Sequence, residues 1–246
     1  LFIPEKEGAM VTANHLERFL AAAAKMFPES KSAHAGGAPF VTISRQAGAG
    51  GHVVARALLD RTLEARPKAL FEGWSLFDER LAEMVAENPA LKVSLKGLAE
   101  EDFASGIQDM VSSWIAGLSP QSAVVAHLFK VIRGLASQGK VIIVGRAGVC
   151  LTRSMPLGVH LRLMAPLDVR VRRVRAALEA SEKEAHRVVA DHDRARAALV
   201  KTYFHRDIDD PLLYDLVWNT DTVPIEVIAS TTLRAVESLA RRGRGA

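Results

Sequence analysis

Residues 40–65 constrain the fold of this chain more than any other stretch. Phe40-Val41-Thr42-Ile43 is a short β-branched run that reads as a strand, Gly48, Gly50 and Gly51 follow it, and Val53, Val54, Ala57 and Leu58 begin a helix reaching about Ala65. A strand that enters a helix through a glycine-rich loop points backbone N–H groups into a concavity at a helix N-terminus, a geometry that suits phosphate. Glycine is needed where the backbone must approach a ligand closely or take positive φ. The loop, Ser44-Arg45-Gln46-Ala47-Gly48-Ala49-Gly50-Gly51-His52, matches the pattern G-x-x-x-x-G-K-[ST] only in part. Aligned on Gly50, Arg45 stands at the first glycine, Gly51 at the lysine and His52 at the Ser/Thr. Taken alone, the loop is equally a tight strand-to-helix turn with no ligand.

The rest of the chain alternates in the same way. Trp74–Phe77, Val141–Val144, Val159–Met164 and Tyr214–Trp218 read as strands, and Val141–Val144 is apolar on both faces, as a buried parallel strand is. Residues 79–88 and 96–138 read as helices broken at Pro89 and Pro120, and further helices cover 167–178 and 182–203. Ser181 with Glu184 forms a capping box, and Pro224 opens a last helix that runs to Arg241-Arg242. Strands alternating with helices imply an α/β fold on a parallel sheet. The length of 246 residues fits one large domain with a helical appendage.

That appendage is expected at residues 1–39. Asn14 and Glu17 mark a helix start, Leu16, Phe19, Leu20, Ala23 and Phe27 form its apolar stripe, Pro28 ends it, and the small polar residues 29–38 read as a linker. The exposed face of the 15–27 helix either pairs subunits in a homodimer or covers the sheet. The net charge of +4 is too mild for a generic nucleic-acid coat. A single cysteine, Cys150, excludes an intramolecular disulfide and a cysteine-rich zinc site, and a cytoplasmic setting is the simplest expectation. No apolar run is long enough to span a membrane.

Four segments in order resemble the cytidylate kinase-like family: Phe40–Ala55 its opening strand and Ser-Arg-Gln glycine loop, Val141–Gly148 its third-strand segment, Ala165–Arg173 its arginine-bearing helix, and Tyr214–Thr220 its last strand. The resemblance covers roughly residues 40–235 and leaves the N-terminal helix outside. It implies a P-loop, nucleoside-monophosphate-kinase-like fold: a five-stranded parallel sheet flanked by helices, a helical monophosphate-binding insertion at 79–138 and a lid at 170–210. The implied reaction is transfer of the ATP γ-phosphoryl group to CMP, dCMP or a similar acceptor, which rests mainly on positioning and charge neutralisation. The alternatives are a non-catalytic or regulatory nucleotide binder, and a kinase of the same fold acting on another small acceptor.

The candidate residues follow from both readings. Ser44, Gln46, Gly48, Ala49, Gly50, Gly51 and His52 would form the ATP cradle. Arg45, inside the loop, would reach the phosphates and partly replace the missing lysine, since a guanidinium suits bidentate phosphate contact. Asp78, closing the second strand, either caps the next helix or binds the acceptor nucleotide as the resemblance implies, with Arg80 a looser match. By resemblance Arg146 contacts the acceptor phosphate, Arg170 and Arg173 contact nucleotide phosphates or base from the lid, and Asp191 with Arg194 forms an Asp-x-x-Arg lid element in which Arg194 stabilises the transferring phosphoryl group. The family places an aspartate before the Gly-Arg pair where this chain has Val144, which leaves Mg²⁺ binding open and no metal ligand assigned. Cys150 reads as a small buried hydrophobe.

Overall fold

The computed structural model describes residues 37–78 and 120–243. The helix expected at 15–27, most of the 79–138 insertion and Arg80 lie outside them. Five parallel strands form one sheet in the order β2-β3-β1-β4-β5. They are β1 (Phe40–Arg45), β2 (Ser75–Phe77), β3 (Val141–Val144), β4 (Gly158–Met164) and β5 (Leu216–Asn219). The helices are α1 (Gly51–Glu64), α2 (Lys68–Phe71), α3 (Pro120–Gln138), α4 (Gly148–Thr152), α5 (Leu167–Leu178), α6 (Glu182–Phe204) and α7 (Ile225–Gly243).

Side-chain alternation along the central strands divides the core. Val41, Ile43, Ile142, Val144, Leu161 and Leu163 face one way, against Val54 and Leu58 of α1 and Ile228, Leu233 and Val236 of α7. Phe40, Phe77, Val141 and Ile143 face the other way, against Leu128, Phe129, Ile132 and Leu135 of α3. The second half of α3, which the sequence reading assigned to the insertion, thus packs on the sheet. A third cluster joins α5 and α6 through Val171, Val174, Ala185 and Val189, and it includes Ala47 of the glycine loop.

Two strand boundaries differ from expectation by two residues. β1 runs on through Ser44 and Arg45, paired with Arg162 and Leu163 of β4. β5 starts two residues late: Asp210 caps a 3₁₀ turn at Pro211–Leu213, and Tyr214 turns inward beside Val149 and Leu213. Asp215 then bonds both ways with His160, accepting from its N–H and donating to its carbonyl. Ser181 caps α6 as expected, its Oγ accepting from the Glu184 N–H at 3.3 Å.

Candidate functional site

The connection from β1 leads to β2 on one side of the pair β3-β1 and that from β3 leads to β4 on the other, and a crevice opens at their carboxyl ends, where open α/β sheets hold ligands. Ser44 and Arg45 from β1, Gly145 and Arg146 after β3, and Arg196 and Val200 of α6 line it, with Ile208 from the segment after α6.

Arg45 runs across this crevice between two glycines. A Cβ built on Gly51 would lie 2.9 Å from Arg45 Cγ, and one on Gly145 would collide with its Nη1. The arginine stem therefore uses space that a side chain at the lysine position of the loop would need. Gly145, Arg146 and Ala147 all have positive φ, at 78°, 53° and 54°. The left-handed conformation costs roughly 1–2 kcal/mol at a non-glycine residue. Such strain persists where the surroundings enforce it, typically at a functional site. Here it aims Arg146 into the crevice.

The outer side of the glycine loop is held by its carbonyl oxygens. Arg170 Nη1 donates to Ala47 O at 3.2 Å, Arg173 Nη1 to Gly48 O at 3.4 Å, and Thr220 Oγ1 to Ala49 O at 3.1 Å. The Ala49 N–H is given to the Gln46 carbonyl at 3.2 Å and the Gln46 N–H to the Leu163 carbonyl at 3.0 Å, so the loop backbone is pinned from within as well. Asp193 completes the clamp, accepting the Ala47 N–H at 2.7 Å and pairing with Arg170 at 2.6 Å. Gly48 allows the close approach: its φ is +76° and a Cβ there would lie 2.5 Å from Arg170 O. Gln46 ties the loop to β4, its Oε1 accepting the Ala165 N–H, while Gly50 (φ 77°) precedes the first helical residue, Gly51. Gly51 thus stands in the first turn of α1, at the end of the helix where the backbone dipole is positive.

Two lid expectations change in position. Arg170 is buried among Ala47, Ala165 and Asp193, and Arg173 bonds Gly48 and Thr220, so both guanidinium groups grip the loop rather than project into the crevice. The Asp-x-x-Arg spacing recurs two residues further along α6, at Asp193 and Arg196. Asp191 and Arg194 pair with each other at 3.3 Å on the solvent side, with side chains 55% and 76% exposed, whereas Asp193 meets the loop and Arg196 lines the crevice. Two residues along a helix is a rotation of about 200°, enough to exchange its faces. The sequence Asp-His-Asp-Arg-Ala-Arg contains the spacing twice, and only the packing of α6 on α5 selects between them.

At the edge of the site His52 Nδ1 faces Asp78 Oδ2 across 3.6 Å, so Asp78 is turned toward the loop. Arg162, which the sequence reading did not single out, is buried beneath Ser44. Cys150 is half-buried, and burial pushes its thiol up to about 11, which keeps it protonated at neutral pH. Among the described residues no group of three or more His, Cys, Asp or Glu side chains could hold a metal ion, and no helix is long and apolar enough to cross a membrane.

A parallel α/β sheet with a glycine loop after β1, and arginines gathered on the crevice beside it, defines the class of P-loop kinases. The cytidylate kinase-like family matches over residues 40–222, and the chain belongs to that family. A cytidylate kinase from Sulfolobus acidocaldarius is 30% identical over 145 residues, spanning 58% of this chain and 69% of that protein. The crystal structure of an uncharacterized protein from Eubacterium ventriosum superposes with a TM-score of 0.62 at 19% identity, covering 81% of this chain and 98% of that one. A shikimate kinase from Bacteroides thetaiotaomicron gives a TM-score of 0.41 at 14% identity over 82% of this chain and 98% of that one.

Proposed function

We propose that the protein transfers the γ-phosphoryl group of ATP to a nucleoside monophosphate, with CMP or dCMP the preferred acceptor. The observation that carries this reading is the course of Arg45, whose stem passes Gly51 and whose guanidinium reaches Gly145, directly between the glycine loop and the crevice. ATP fits the residues present: the loop has its carbonyls clamped outward and helix α1 starts at its end. An acceptor-phosphate oxygen would attack the γ-phosphorus while the bridging P–O bond to ADP breaks. Arg45, Arg146 and Arg196 would spread the charge that this transfer develops. Asp78 would bind the acceptor, and Arg170, Arg173 and Asp193 would act through the loop they hold.

Mg²⁺ would help to neutralise phosphate charge in this chemistry, and among the described residues it would find few protein ligands. Val144 ends β3 and His52 stands at the hydroxyl position of the loop, so Asp78 is the carboxylate facing that position. A single carboxylate suits an ion held mostly by phosphate oxygens and water.

A coupled ADP-release assay with ATP and Mg²⁺ against CMP, dCMP, UMP, AMP and GMP tests the proposal. Stimulation by CMP or dCMP is expected. The glycine in place of the loop lysine favours a second reading, a regulatory nucleotide binder or a kinase for another small acceptor. Silence across the panel from protein that binds ATP calorimetrically would select it.

A further inference from the structure

Arg162 sits in the middle of β4 with 4% of its surface exposed. A guanidinium in such a place is costly unless its donors are met. Its Nη1 donates to Ser44 Oγ at 3.0 Å, its Nη2 pairs with Asp209 Oδ1 at 2.6 Å, and its Nε is buried with no partner among the described residues. Its charge also lies over the Tyr214 ring, 5.8 Å from the centroid. Tyr214 Oη is 2.7 Å from Ile208 O and 3.3 Å from Ser44 Oγ. A carbonyl can only accept, so the tyrosine proton goes to Ile208, and the Ser44 hydroxyl then donates to Tyr214. The hydrogen bonds run in one direction, from Arg162 to Ser44 to Tyr214 to Ile208. Two members of this chain, Ser44 and Ile208, line the crevice.

We propose that Arg162 is a positioning residue of the crevice: one arm of its guanidinium fixes the Ser44 hydroxyl on the β1 wall, and the other, through Asp209, holds the 205–213 segment with Ile208 as the opposite wall. The segment follows α6, which carries Arg196, so the same anchor ties that end of α6 to the central sheet. The Asp209 carboxylate is 62% exposed, which makes it the accessible end of the anchor.

Asp209→Ala and Arg162→Lys test this by hydrogen–deuterium exchange and steady-state kinetics. Asp209→Ala strands the buried Arg162 guanidinium, so Asp209→Asn, which keeps an accepting oxygen for Nη2 but loses the ion pair, serves in its place should either variant not fold. In both variants amides of 205–213 are expected to exchange at least about fivefold faster while α3 and α7 keep wild-type protection. For ATP and CMP, the kinetic arm resting on the phosphoryl-transfer reading, kcat is expected to fall about tenfold with KM for ATP within about twofold. A purely structural role would lower the protection of the whole sheet and leave kcat per folded molecule unchanged. Wild-type exchange at 205–213, exchange spread evenly over the sheet, or selectively faster exchange with wild-type kcat overturns the proposal. If the wild-type protein turns over no acceptor, the functional reading fails, and the exchange pattern alone decides the role of Arg162.

Discussion

The Cγ of Arg45 lies 2.9 Å from the position a Cβ on Gly51 would take, so the two residues share one volume that only one side chain can fill. The loop lacks its lysine, and the arginine six residues earlier threads through the resulting gap toward Gly145. On this basis Arg45→Ala lowers kcat by about a hundredfold or more, a loss typical of removing a charge-stabilising group. Gly51→Ala displaces the arginine and lowers activity in the same direction. In an Arg45→Ala background Gly51→Ala then adds little, and coupled ADP release across the four proteins measures that non-additivity. Full additivity would mean that the two side chains do not compete.

The register of α6 separates Arg196 from Arg194. Arg196→Ala is expected to reduce kcat at least about tenfold, since its side chain lines the crevice. Arg194→Ala removes an exposed i,i+3 pair worth about 0.3 kcal/mol, and kcat stays within about twofold of wild type. A larger loss in Arg194→Ala than in Arg196→Ala would place α6 in the other register, and equal losses would mean that the two faces are not distinguished.

The Arg170–Asp193 pair predicts a stability effect. Asp193→Ala strands a guanidinium whose side chain is 9% exposed and frees the Ala47 N–H. Removing one partner of a buried pair costs about 3 kcal/mol. In a domain of this size that is a fall of roughly 6–12 °C in melting temperature. Scanning calorimetry reads the shift, and titration with ATP should show weaker binding, because the loop carbonyls lose part of their clamp. A melting temperature within a degree of wild type would remove Asp193 from the account.

His160 sets a pH dependence. Burial lowers its pKa from 6.5 to about 4, opposed by Asp215 and reinforced by Arg153, and its Nδ1 lies 2.8 Å from Thr42 Oγ1. Between pH 6.5 and 4 the unfolded chain takes up a proton that the folded chain refuses, so stability is full above pH 6.5 and is lost as the pH falls toward 4, by an amount on the order of 3 kcal/mol. Urea midpoints across that range should decline in the wild-type protein and flatten in His160→Gln. Parallel declines in the two would assign the effect to other groups.

The central strands, the glycine loop and helices α5 and α6 were legible because each is carried by a local signal. Val141–Val144 is a continuous apolar run, Gly48, Gly50 and Gly51 punctuate the loop, and Ser181 caps α6. Arg162 left no such signal. It alternates with Leu161 and Leu163 on a strand whose other polar side chain is His160, and its partners Ser44 and Asp209 are 118 and 47 residues away. Helix α4 also went unread, since five residues carry little periodicity and it is set by the left-handed turn at 145–147. Arg170 and Arg173 were recognised as important by their place after β4, but whether they meet a ligand or the loop depends on the fold of Ala47 back into the α5–α6 cluster.

That fold has a consequence for how the site would move. Three consecutive loop carbonyls and one loop N–H are held by Arg170, Arg173, Thr220 and Asp193, three of which lie on α5 and α6. The glycine loop and the two outer helices are therefore one mechanical piece. A displacement of the outer helices would be transmitted to the amides beneath the nucleotide, so release of the spent nucleotide and opening of the site would be two views of a single movement.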